Sequence, residues 1–125
     1  MNELKKSKTA VPVLLCLDVD HGDVSSKNPE DTDPYAWLRE FGKESPAIHI
    51  KQRTRNVFGH KPFNPEHNRD GIIFPDKIIE ALEDSGAKET TLYLELSFRE
   101  RQPYESNVIR DLKQSVEFWR PFVDE

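Results

Sequence analysis

Three short apolar runs, each followed by a segment of helical period, constrain this chain more than any other feature. The runs are residues 11–17, residues 47–51 and residues 90–96. Their length and near-continuous apolar character are those of strands buried on both faces. After the first, Asp33-Pro34 supplies an N-cap and a first-turn proline, and Tyr35, Trp37, Leu38 and Phe41 form an amphipathic stripe that stops near Gly42. After the second, Pro75-Asp76 opens a helix carrying Ile78, Ile79 and Leu82, ended at Gly86. After the third, a helix from about Glu105 carries Val108, Ile109, Leu112, Val116 and Trp119 at spacings of three or four, up to Pro121. The order β-α-β-α-β-α demands parallel strands joined by right-handed crossovers. The fold class is therefore α/β. Three parallel strands do not close a barrel, and they leave two edges unpaired. A chain of this pattern needs neighbours, supplied by self-association, by a partner, or by a larger protein of which it is the tail.

Composition narrows the function classes. The chain has 125 residues, enough for one domain. Residues 1–10 are a polar N-terminal segment, and residues 11–125 are the domain. With 18 basic and 23 acidic side chains, the net charge of −5 argues against a nucleic-acid partner. No apolar stretch approaches the roughly 20 residues of a membrane span. The charged first residues lack the apolar core of a secretory signal, so a cytoplasmic location is expected. Cys16, inside the first run, reads as a buried strand residue rather than a nucleophile or disulfide partner.

In parallel sheets the C-terminal strand ends gather on one side, where ligands bind. Here those ends carry Asp18, His49 and Glu95, with His21 three residues beyond Asp18. Each has a plain structural reading: a turn-capping aspartate, a packed strand histidine, a glutamate on an exposed edge. A glutamate between Leu94 and Leu96 is nonetheless costly to bury without a partner. Carboxylate, imidazole and carboxylate at equivalent places on three successive strands favour a divalent-metal half-shell.

Residues 52–74 have no steady period, and a loop of that length in a compact domain is usually functional or disordered. Lys51, Arg53 and Arg55 form a basic cluster at its start. They suit a phosphate or substrate oxygens, although a solvated loop is the preferred reading for Lys51 and Arg53. His60 and His67, with Phe58 and Phe63, suggest a lid. No nucleophile elbow surrounds Ser97 and no glycine-rich phosphate loop is present.

The segments 15–21 (Leu-Cys-Leu-Asp-Val-Asp-His), 48–50 (Ile-His-Ile) and 94–98 (Leu-Glu-Leu-Ser-Phe) resemble the last three strands of the xylose isomerase-like TIM barrels, in the sugar (phosphate) isomerase/epimerase group. The resemblance runs from Val11 to the C-terminal helix. It implies a partial TIM barrel of three C-terminal βα units, and metal ligation by Asp18, His49 and Glu95. Glu95 is then also an acid/base catalyst, and His21 and Arg55 bind substrate. The expected cofactor is a divalent metal, Mn, Mg, Co or Zn. The expected substrate is a ketose sugar or sugar phosphate, converted through a metal-stabilised enediolate. In the family a further glutamate comes from the preceding strand, and Glu3, Glu30 and Glu40 do not replace it. Two alternatives follow: an inactive remnant or binding module, and an AP-endonuclease-type metal phosphodiesterase, which the acidic charge disfavours. The chain is then a truncated reading frame or a half-barrel that completes itself by association.

Overall fold

The computed structural model describes residues 13–20, 25–55, 59–96 and 107–124. Its core is a three-stranded parallel sheet in the order β1 (Cys16–Asp18), β2 (Ala47–Ile50), β3 (Thr91–Leu94). The helices are α1 (Pro34–Phe41), the one-turn α2 (Pro65–Asn68), α3 (Pro75–Ser85) and α4 (Val108–Trp119). An open parallel sheet flanked by helices is the architecture of a partial TIM barrel.

Register decides what each face of the sheet presents. Asp18 pairs with His49, and His49 with Tyr93, so these three side chains share one face. Ile48, Ile50, Leu92 and Leu94 take the other face and join Leu38, Ile78, Ala81 and Leu82 in the hydrophobic core. Helices therefore cover one face. The opposite face keeps Tyr93 about half exposed, and the lead-in to β1 leaves Val13, Leu14 and Leu15 exposed. Cys16 is exposed as well, against the expectation from its apolar run. It lies on the edge strand, on the face that bears Asp18, where no helix of the described residues packs.

Local chemistry sets the helix ends. The Asp33 carboxylate accepts a hydrogen bond from the Tyr35 N–H (2.9 Å), and Pro34 occupies the first turn of α1. Gly86 ends α3 at φ 88°; its N–H donates to Glu83 C=O, and the Ala87 N–H donates to Leu82 C=O. That is the Schellman arrangement, which requires the left-handed conformation glycine permits. Gly42 has a different role. A Cβ there would lie 2.7 Å from Ser85 Oγ, so its lack of a side chain lets the end of α1 approach α3.

The described residues of the 52–74 segment pack into the core rather than forming a lid. Gln52 and Lys61 form an isolated antiparallel bridge, and Phe63 is fully buried. The Phe63 ring stacks on Phe118 (5.5 Å between centroids) and meets Trp119 edge-on at 5.4 Å. Its N–H donates to Ser115 Oγ (2.8 Å), which in turn donates to Asp111 C=O (2.7 Å). Phe58 lies outside the described residues. This docking also reorients the last helix: α4 buries Asp111, Ser115 and Trp119, while Ile109, Leu112 and Val116 are exposed. Of the predicted stripe, Trp119 does face the core, whereas Ile109, Leu112 and Val116 do not, because the loop's aromatic contact fixes the adjacent face inward. No helix among the described residues is long and apolar enough to cross a membrane.

Candidate metal and substrate site

Three strand ends build the site. Asp18 closes β1, and His49 is held beside it by the parallel register. Glu95 lies one residue beyond β3, where its N–H still donates to Ile50 C=O (2.9 Å). That bond extends the ladder and places Glu95 alongside Lys51. Each side chain offers one ligand atom, and these atoms lie within 4.8 Å of one another. Ligands around one small cation at about 2.0–2.3 Å are separated by at most about 4.6 Å, so the set fits an ion with small adjustments. The donor types, two carboxylates and an imidazole, suit a borderline divalent cation.

The atoms are already committed in an orderly way. Asp18 Oδ1 accepts from the Asp20 N–H (2.8 Å), which turns Oδ2 toward the cluster. His49 Nδ1 lies 3.8 Å from that Oδ2 and 3.1 Å from Glu95 Oε2. Between the two carboxylates sits Lys51, whose Nζ donates to Asp18 Oδ2 (2.6 Å) and Glu95 Oε2 (2.7 Å). Lys51 is fully buried, not in a solvated loop as its neighbours in sequence suggest. It follows His49 by two residues, so strand alternation carries it onto the same face. Its hydrogen bond holds the Glu95 carboxyl down to about 2, against the smaller opposing effect of burial.

The other oxygen of Glu95 meets a second unforeseen residue. His60 Nε2 lies 3.4 Å from Glu95 Oε1, about one-third exposed. It is carried there by the bridge between Gln52 and Lys61 and by Gly59, whose N–H reaches both oxygens of Asp20 (3.2 and 3.0 Å). Asp20 is buried, and burial raises its carboxyl above the usual range even though the Gly59 N–H opposes this.

Arg53 also departs from the solvated-loop reading. It is buried, donating from Nε to Val19 C=O (3.1 Å) and from Nη2 to Thr32 C=O (2.7 Å), with Nε 3.8 Å from Asp20. Burial pushes its guanidinium pKa down. Its role is to tie the loop after β1 to the loop after β2. Gln52 performs a similar service: its amide donates to Asn68 Oδ1 and Ile73 C=O, and its carbonyl accepts from the Ile73 and Arg53 N–H groups. A Cβ on Gly71 would fall 2.1 Å from Gln52 Cδ, so this clamp depends on glycine there. Arg55 is exposed, and His67 lies within the short helix α2. His21 lies outside the described residues. Glu30 and Glu40 lie on helical turns and not on a strand.

No family model matches the chain. One curated relative is informative. The chain is similar to the D-erythrulose 1-phosphate 3-epimerase of Brucella abortus (strain 2308), at 44% identity over 123 residues. The match takes in 98% of this chain and 40% of the Brucella protein, so the chain spans about two-fifths of that relative's length. The relative is a sugar-phosphate epimerase by name, which agrees with a xylose isomerase-like fold.

Proposed function

We propose that the chain forms the metal-binding side of a sugar-phosphate epimerase or isomerase, acting on the carbon next to the carbonyl of a ketose phosphate. The observation that carries this is the convergence of Asp18, His49 and Glu95 at the C-terminal ends of three parallel strands. The likeness to a D-erythrulose 1-phosphate 3-epimerase supports the substrate class. In this reading residues 11–125 are the working unit, and Asp18, His49 and Glu95 hold a divalent cation such as Mn, Mg, Co or Zn. A bound cation supplies Lewis-acid stabilisation of the negative charge that develops as a proton leaves carbon.

The protein's own residues do the rest. Asp18 is fixed by the Asp20 N–H, so one oxygen is aimed before any ligand arrives. Glu95 divides its oxygens, with Oε2 toward His49 and Lys51 and Oε1 toward His60. The carboxylate is thereby oriented for holding charge on one side and moving a proton on the other. His21 and Arg55 bind the substrate's oxygens or phosphate, Arg55 from its exposed position beyond β2. A sheet with one uncovered face fits a unit that works against further strands, from a second copy or a partner.

Tetrulose to hexulose phosphates supplied in D₂O with Mn²⁺ test this reading. We expect solvent deuterium at the carbon adjacent to the carbonyl, lost in Glu95→Gln. Ion binding with no exchange on any of these substrates would instead make the chain a metal-binding module without turnover, a reading favoured by the open sheet.

A further inference from the structure

Among the described residues, Lys51 is the one whose ammonium contacts the oxygens that a cation would use. From the central strand it reaches Asp18 Oδ2 on one flank and Glu95 Oε2 on the other, at 2.6 and 2.7 Å. Those two oxygens are also the ones nearest His49 Nδ1. Asp18 Oδ1 is held by the Asp20 N–H, and Glu95 Oε1 faces His60, so neither carboxylate presents its second oxygen to the same point. Lys51 is fully buried, and its side chain has been carried out of water to lie between two acids. A buried ammonium is tolerable because it is paired on both sides, and the two carboxylates are tolerable beside each other because of it.

We propose that Lys51 is a built-in counter-ion that keeps the ligand oxygens gathered when no metal is present, and that metal loading exchanges the Lys51 ammonium for the divalent cation. This rests on the metal reading given above. A cation bound to Asp18 Oδ2 and Glu95 Oε2 takes the acceptor sites of Lys51 and repels its positive charge at a few ångströms. Lys51 therefore sets the ion affinity from below. It preorganises the site, and it also opposes each ion that enters.

The test compares Mn²⁺ binding by calorimetry and thermal stability with and without Mn²⁺, on the full chain and on Lys51→Met, Lys51→Gln and His49→Ala. Lys51→Met keeps an unbranched side chain as far as Cε and removes the ammonium. It is expected to bind Mn²⁺ roughly tenfold or more tightly, since a unit charge within a few ångströms is removed, and to melt lower without Mn²⁺. Its melting temperature should rise more on Mn²⁺ addition than that of the unaltered chain. Affinity unchanged or weakened in Lys51→Met and Lys51→Gln would overturn the exchange. Mn²⁺ binding that survives His49→Ala would instead overturn the metal site itself, and binding by no variant would overturn both. Should the Lys51 variants fold only with Mn²⁺, that supports the exchange. If they do not fold at all, the unaltered chain decides, because the Lys51 side-chain resonance must shift on Mg²⁺ titration, and a resonance that stays in place contradicts it.

Discussion

Phe63→Ala tests whether residues 52–74 are part of the core or a cover over it. Phe63 has no exposed surface, stacks on Phe118 at 5.5 Å and meets Trp119 edge-on at 5.4 Å. Truncating a fully buried phenylalanine costs about 3–5 kcal/mol from lost transfer free energy and the cavity left behind, and the two aromatic contacts push the value toward the upper half of that range. The matched control is Phe74→Ala. Phe74 is 38% exposed and makes a cation–π contact with Lys77 at 5.0 Å, so its removal should cost about 1 kcal/mol. Urea unfolding followed by tryptophan fluorescence gives both values on one scale, with Trp119 reporting directly on the altered packing. We expect Phe63→Ala to exceed Phe74→Ala by at least about 2 kcal/mol. Equal losses of about 1 kcal/mol would show that Phe63 is not packed against α4 in solution, and the placement of His60 by this loop would fall with it.

Two further outcomes follow from titration and hydrogen bonding. The Glu95 carboxyl is held near 2 by Lys51, below its ordinary 4.5, so its ionised form stabilises the fold fully above about 4.5 and this contribution is lost as pH falls toward 2. The difference in melting temperature between the unaltered chain and Glu95→Gln should therefore shrink across that window, and a constant difference would refute the pairing. The Tyr35 hydroxyl donates to Ile72 C=O and accepts from the Phe74 N–H (3.0 Å), and burial raises the phenol to about 12. Tyr35→Phe should lose about 1 kcal/mol; no loss by urea unfolding, or a wild-type phenol that titrates at 10.0, would show that these bonds do not form.

Periodicity made the element order legible, since a strand of period two and a helix of period 3.6 leave different marks on sequence. The capped helices α1 and α3 begin and end within a residue or two of their Asp33-Pro34, Pro75, Gly42 and Gly86 signals. The grouping of Asp18, His49 and Glu95 was readable for a topological reason: parallel strands put their C-terminal ends on one side. Lys51 closes the 47–51 run, and alternation from His49 puts it on the same face, but its place in a basic cluster with Arg53 and Arg55 points to a solvated loop instead. His60 carried no such signal. Its position depends on the Gln52–Lys61 bridge within the loop and on the Asp20–Gly59 contact, whose residues lie 39 positions apart in sequence. Cys16 and the stripe of Ile109, Leu112 and Val116 misled for a common reason. Apolar sequence reports what a surface is suited to bury, and here those surfaces lie on faces that the described residues do not cover.

The proposed site makes Asp18, His49 and Glu95 the ligands of one metal ion. Equilibrium dialysis of the chain against Mn²⁺ tests it most directly, alongside the Asp18→Asn/His49→Ala double variant. About one ion is expected per chain, saturable, and lost in the double variant while its circular dichroism is unchanged. A double variant that binds Mn²⁺ as well as the unaltered chain would contradict it.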